Sequence, residues 1–380
     1  MSFSEQALRI TPRPDSPVEP REVLIVGGGI AGIEALMALA DLGDDRLRLL
    51  LVAAHPSFVL RPQILGEPWG GAPLHVDLER LCRAFGAGFA LGTVNDVDSE
   101  AHRVRTAGGA TLEYERLLLA PGALAALPYL GTRVLGFGAL PRALAAGLEG
   151  SVAIVVPPQT SWTLPAYELA LLTAAGGGRD VRVVTAKTVP LEAFGRGTHT
   201  DIRSLLDRHG VGVETSAVLE IGSDVTDLAD VVISLPLLHG PAITGVQLDR
   251  HGFVRVDERM AVIGTEHVYA AGDAADGAIK QGGLAGQQAD TAATEIVRSC
   301  AGHPPPAAYE PVLRGRLTAP TAKSSTCAAR STAPTPAASP AIRCGSRRAS
   351  SARGDWRAGW CTTAPSSGSS RSITSRGRRA

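Results

Sequence analysis

The stretch "VLIVGGGIAGIEAL", residues 23–36, decides the fold. Four consecutive apolar residues, Val23 to Val26, read as a strand buried on both faces. They run straight into Gly27, Gly28 and Gly29, and a fourth glycine, Gly32, falls at the head of a stretch with helical spacing. Gly27, Gly29 and Gly32 fit GxGxxG between a strand and a helix. In that reading Gly27 permits the tight turn and Gly29 lets the backbone approach a pyrophosphate. Gly32 allows close helix–strand packing, with the helix N-terminus facing the anion. The competing reading is a glycine-rich turn of an α/β protein that holds no nucleotide.

Working outward, residues 21–316 alternate short Val/Ile/Leu runs with longer segments of helical spacing, which predicts parallel sheets covered by helices. The runs are "VLIV" (23–26), "LRLLLV" (47–52), "RLLLA" (116–120), "VAIVV" (152–156), "VRVVTA" (181–186), "DVVISL" (230–235) and "HVYAAGD" (267–273). Two βαβ-type units start at Val23 and Val152, and the last run is able to return to the first sheet. The expected architecture is α/β: two Rossmann-like, doubly wound, three-layer domains. Residues 1–20 are expected to be a flexible N-terminus.

Composition narrows the class. The chain has 380 residues, enough for two domains, and is 44% hydrophobic. No apolar run is long enough to span a bilayer. Residues 1–20 carry Pro, Asp, Glu and Arg in place of an apolar signal core, so no secretory signal is expected. The five cysteines, Cys82, Cys300, Cys327, Cys344 and Cys361, form no CxxC pair. No disulfide framework or zinc site is expected, and a reducing cytoplasm is the default.

The formal net charge of zero hides a split. Of the 37 basic and 37 acidic residues, 11 and one (Asp355) lie in 317–380, leaving the rest of the chain at −10. Such an acidic body argues against nucleic acid as a partner. Residues 318–380 contain no Leu, Val, Phe, Met, Tyr or Glu and are built mainly from Ser, Thr, Ala, Pro, Gly and Arg. That composition buries too little apolar area to offset its ordering entropy. Two readings stand, a natural low-complexity basic tail and the product of a frameshift; the abruptness of the change favours the second.

Two later segments choose between nicotinamide and flavin. "RLLLAPGA" (116–123) is a strand ending in Pro121-Gly122, and "HVYAAGDAAD" (267–276) is a strand ending in Gly272-Asp273. With the first turn they resemble the three FAD fingerprints of the pyridine nucleotide-disulfide oxidoreductase superfamily. The resemblance covers residues 21–315. It implies a discontinuous FAD domain, 21–122 with 240–316, around an inserted NAD(P)-type domain, 123–239. It also implies that Asp273 bonds the ribityl chain; the alternative for Asp273 is a helix cap.

The next segment, "IKQGGLAGQQADTAA" (279–293), is similar to a Lys-containing turn and small-residue helix in the sulfide:quinone reductase and type II NADH dehydrogenase branch. By that resemblance Lys280, Gln281 and Gly282 lie at the pyrimidine edge of the flavin, where a helix N-terminus stabilises negative charge. A solvated surface lysine is the alternative for Lys280. "SFVLRPQILGEPWG" (57–70) resembles the aromatic–proline segment beside the isoalloxazine, so Phe58, Arg61 and Pro62 are candidates for the pocket wall. Arg61 also fits an ordinary surface arginine.

Three features depart from the pattern. The second strand ends in Ala53-Ala54 where an acid binds ribose, which leaves backbone groups or His55 for the adenosine. The inserted unit, "VAIVVPPQTSWTLPAYELALLTA" (152–174), has no glycine, and Pro157 and Pro158 remove two N–H donors, so NAD(P)H binding by the usual route is disfavoured. Its "TSWTLPAYE" resembles the sulfide:quinone reductase branch but has no cysteine, and without a thiolate sulfide oxidation is not expected. Glu168 is either a polar group near the cofactor or a first-turn acid complementing the helix dipole.

The expectation is an FAD-dependent oxidoreductase passing two electrons to an acceptor such as a quinone, without redox-active cysteines. The alternatives are an NAD(P)H:acceptor reductase with an atypical site and a non-catalytic flavin-binding protein. Partners would be small-molecule donors and acceptors, with at most peripheral membrane contact and a possible homodimer. The branch docks on membranes through a C-terminal amphipathic element, which the Ser/Arg/Pro tail here does not supply.

Overall fold

Val23 to Val26 form the centre of a sheet because nothing polar interrupts them; all four are at most 3% exposed. In the computed structural model, residues 20–69, 71–135, 150–177, 180–277 and 279–317 and the backbone of 325–328 are described. Most of the expected flexible N-terminus and of the tail lies outside these residues. In chain order the first elements are β1 (Arg21–Val26), α1 (Ile30–Gly43), β2 (Leu47–Ala53), β3 (Ser57–Val59), β4 (His75–Asp77), α2 (Leu78–Ala84) and β5 (Gly88–Leu91). Then come β6 (Val94–Asp98), β7 (Arg103–Thr106), β8 (Thr111–Glu113), β9 (Arg116–Leu119), β10 (Leu124–Ala126) and β11 (Arg133–Val134). The middle of the chain supplies β12 (Val152–Val156), α3 (Leu164–Ala175), β13 (Val181–Thr185), α4 (Arg196–Arg208), β14 (Gly212–Glu214), β15 (Val231–Ser234) and β16 (Leu237–His239). The last elements are β17 (Val268–Ala270), α5 (Gly282–Cys300), β18 (Arg314–Leu317) and β19 (Ser325–Ala328).

Two five-stranded parallel sheets organise the chain. The first has the order β17-β9-β1-β2-β5, so the run at 268–270 does return to the sheet that the opening stretch began. Its helical face carries α1, α2 and α5, packed through residues such as Ile33, Leu36, Leu81, Ala289 and Ile296. The antiparallel meander β6-β7-β8 contributes Val94, Val97 and Val104 to the core on the other face, giving three layers. Alternation makes that meander possible: in "RVRT" Val104 and Thr106 turn inward while the arginines stay out.

The second sheet has the order β11-β15-β12-β13-β14. All five residues of β12 are buried, and α3 packs on it through Leu164, Ala166, Tyr167 and Leu171. The chain crosses between the sheets twice, and the two crossings pair as the antiparallel ribbon β10–β16. After α5 the chain enters the second core, where Leu313 and Leu317 are 0% and 2% exposed. Within the expected low-complexity tail, residues 325–328 form β19 and pair with β18.

Candidate functional site

Sheet order brings the three glycine-bearing segments to one edge. Gly27 follows β1, Pro121 follows β9 and Gly272 follows β17, and these strands are neighbours in the sheet. A parallel sheet gathers its ligands outside the strand C-termini, beside the point where the strand order reverses. Here that point lies between β1 and β9.

The turn after β1 has no room for side chains where the chain must close. Gly27 has φ +111° and donates its N–H to the Val52 carbonyl at 2.7 Å. A Cβ there would strike the Ala120 carbonyl and come within 2.8 Å of the Pro121 Cα. At Gly32 a Cβ would run into the Gly27 carbonyl, so α1 lies directly against the turn. Gly29 is the N-cap of α1, extended, without a side-chain cap, and open space adjoins it. The first turn of α1 therefore offers backbone N–H groups to an open cradle, with no acidic side chain in that turn.

A second helix N-terminus arrives at the same place. A Cβ at Gly282 would lie 2.7 Å from Ile30 Cδ1, and one at Gly272 would lie 2.8 Å from Ala31 Cβ. The starts of α1 and α5 thus pack side by side, and the Gly272 N–H is tied to Gln288 Oε1 at 2.8 Å. Gln281 caps α5 by accepting the Leu284 N–H at 2.9 Å, and its amide donates to the Arg314 carbonyl at 3.2 Å. Its side chain is engaged with the protein, and only its place at the helix start matches the expectation.

Asp273, Lys280 and Arg61 converge electrostatically. Burial pushes the Asp273 carboxyl above its ordinary value, while the charges of Lys280 and Arg61 pull the other way. Burial likewise pushes the Lys280 ammonium down, opposed by Asp273, Asp276 and Asp249. Lys280 is no solvated surface lysine. Its ammonium sits 3.8 Å from the centre of the Phe253 ring and donates to the Ala275 carbonyl, and its backbone N–H donates to Ser161 Oγ at 3.2 Å. Arg61 and Pro62 are exposed at the start of the 3-10 helix Arg61–Trp69, and Phe58, three residues before Arg61 in the chain, is buried. Gly122 follows Pro121 with φ +82°.

The inserted unit looks different. Between β12 and α3 the chain makes a turn closed by the Thr160 N–H on the Pro157 carbonyl at 3.0 Å. Thr163 is the N-cap of α3 without a side-chain cap bond, and Trp162 packs on Phe194 with ring centres 5.7 Å apart. Glu168 falls at the fifth position of α3, past the first turn, which removes the dipole reading of its position. Of the cysteines with described side chains, Cys82 is fully buried in the first core, its thiol pushed up to about 11 by burial, and Cys300 ends α5.

No family model matches the chain. A NADH dehydrogenase-like protein of Mycobacterium tuberculosis is 27% identical over 292 residues, covering 67% of this chain and 72% of that protein. A sulfide-quinone reductase of Aquifex aeolicus is 30% identical over 105 residues, 27% of this chain and 24% of that enzyme. The solved sulfide:quinone oxidoreductase of Aquifex aeolicus superposes with a TM-score of 0.68 at 19% identity, covering 78% of this chain and 81% of that one. The chain has the pyridine nucleotide-disulfide oxidoreductase fold. A water-forming NADH oxidase of Lactobacillus brevis shares this fold with a TM-score of 0.61 at 18% identity, over 79% of this chain and 73% of that one. Among the described residues no helix is long and apolar enough to cross a membrane, and no cluster of His, Cys, Asp and Glu could hold a metal ion.

Proposed function

We propose that this chain is an FAD-dependent oxidoreductase that passes two electrons through flavin to a small-molecule acceptor such as a quinone, without a redox-active cysteine. The observation that carries the reading is the open N-terminus of α1 at Gly29, with the start of α5 packed on Ile30 and Gly272, the chain neighbour of Asp273, packed on Ala31. Its residues fit a dinucleotide: open backbone N–H groups suit a pyrophosphate, and Asp273, raised by burial, gains by accepting a hydroxyl hydrogen bond. FAD, when bound, supplies the two-electron chemistry. The chain's own groups bind and orient it: Gly27 to Gly32 hold the anion, Asp273 the polyol, and the α5 N-terminus with Lys280 favours negative charge beside it. The relatives named above are oxidoreductases, which supports the enzyme class.

The donor is the finer question. The inserted unit has no glycine turn, carries Pro157-Pro158 after β12 and packs Trp162 against Phe194, all of which weigh against a nicotinamide dinucleotide on that helix. The name of the Mycobacterium tuberculosis relative favours a second reading, an NAD(P)H:acceptor reductase with an atypical site. Stopped-flow mixing of the flavin-loaded protein with NADH and with NADPH separates the two. Slow or absent flavin bleaching is expected, and bleaching at turnover speed would establish the second reading. Peripheral membrane contact is the expected route to a quinone.

A further inference from the structure

The adenosine end of the proposed flavin site is where this chain departs furthest from the dinucleotide pattern. In that pattern the second strand ends in a carboxylate that takes a ribose hydroxyl. Here β2 ends in Ala53, which is 3% exposed. Its Cβ lies 3.0 Å from where a side chain on Gly28 would begin, so Ala53 faces the glycine turn itself. Leu78, 1% exposed, enters from the start of α2, and its Cδ1 closes the same space.

Leu78 is fixed in that position. Its N–H donates to the Pro56 carbonyl at 3.0 Å, and the preceding Asp77 is committed as the α2 N-cap, accepting the Arg80 N–H at 2.8 Å. The carbonyls at the end of β2 are engaged as well. Val52 accepts the Gly27 N–H at 2.7 Å and Ala53 the Gly92 N–H at 2.8 Å. The wall beside the turn is therefore hydrocarbon, and the nearest polar side chain in sequence is His55, exposed on the loop beyond β2.

Resting on the FAD reading, we propose that Ala53 and Leu78 make the site indifferent to the adenosine 2′-hydroxyl. A hydroxyl with no acceptor beside it stays hydrated and gains nothing from the protein. A carboxylate at the same place forms a charge-assisted hydrogen bond worth about tenfold or more in affinity. Binding then rests on the pyrophosphate turn and the polyol side of the cofactor, and the chain accepts a flavin dinucleotide built on deoxyadenosine as readily as FAD.

The test is a fluorescence-quenching titration of the full-length apoprotein with FAD and with its 2′-deoxyadenosine analogue. The two dissociation constants are expected to agree within about threefold, and Ala53→Asp is expected to separate them to about tenfold in favour of FAD. A wild-type preference for FAD above about tenfold would overturn the proposal. If that preference vanished in His55→Ala, the hydroxyl acceptor would be His55. Quenching by neither flavin would overturn the FAD reading, and the ribose proposal with it. Should Ala53→Asp fail to fold, the wild-type ratio alone decides.

Discussion

Gly32 has no side-chain room because the Gly27 carbonyl occupies the place of its Cβ. Gly32→Ala must push α1 away from the turn. The expected cost is about 1–3 kcal/mol of stability together with loss of bound flavin, read by thermal melting and by flavin content after purification. At Asp273 the expected effect is on the ligand: Asp273→Asn should weaken FAD about tenfold in a fluorescence titration, and an unchanged affinity would remove Asp273 from the site. Glu115 gives a pH test away from the site. Burial opposes its charge, yet hydrogen bonds from the Arg21 guanidinium at 2.7 Å and the Glu22 N–H at 2.8 Å outweigh that and hold its pKa below the ordinary value. A carboxylate depressed in the folded state stabilises above its unfolded pKa and loses that contribution as pH falls through the folded value. With the carboxylate 39% exposed, solvent screening limits the effect of Glu115→Gln to less than about 1 kcal/mol at neutral pH. The gap between variant and wild type should close below about pH 4 in urea melts. The glycines and Asp273 were legible as motifs in the sequence. Arg61 was a candidate beside Asp273 by resemblance alone, and the intrusion of Leu78 was not legible, because the distant start of α2 makes it.

At the scale of elements, the seven apolar runs all became strands, since continuous Val/Ile/Leu runs have few alternatives to a parallel sheet. Among the strands that went unread, β5 "GFAL" and β14 "GVE" are short, begin with glycine and contain no fully buried residue, so pairing with their neighbours specifies them. The strap after α5 was also invisible. Leu313 and Leu317 read as ordinary apolar residues, yet both fill the second core, and Gln287 brackets Val312 by donating at 3.0 Å and accepting at 2.9 Å. Gly315 is the tightest point of that strap, since a Cβ there would lie 2.7 Å from Phe194 Cζ and 3.1 Å from Trp162 Cη2. Gly315→Val should overpack the contact at a cost of about 1–3 kcal/mol, measured by denaturant melts. A neutral result would mean that strap and core give way together.

The whole molecule joins one glycine-rich strand–helix turn, Gly27 to Gly32, to a second sheet whose corresponding turn lacks the glycines. The fold class was legible because periodicity and motif agree; the donor was not, because the loop between β12 and α3 carries no motif that names one. The change of composition after Leu317 stays a proposal of a shifted reading frame. The nucleotide sequence around codon 317 tests it: an alternative frame rich in apolar and aromatic codons is expected, and its absence would favour a natural basic tail. The central claim, that the turn at Gly27 to Gly32 holds FAD, has a direct measurement in the absorbance spectrum of the purified full-length protein after incubation with FAD and desalting. A retained flavin spectrum at about one FAD per chain, lost in Gly32→Ala, is the expected result. A colourless wild-type protein whose melting temperature FAD does not raise would contradict it.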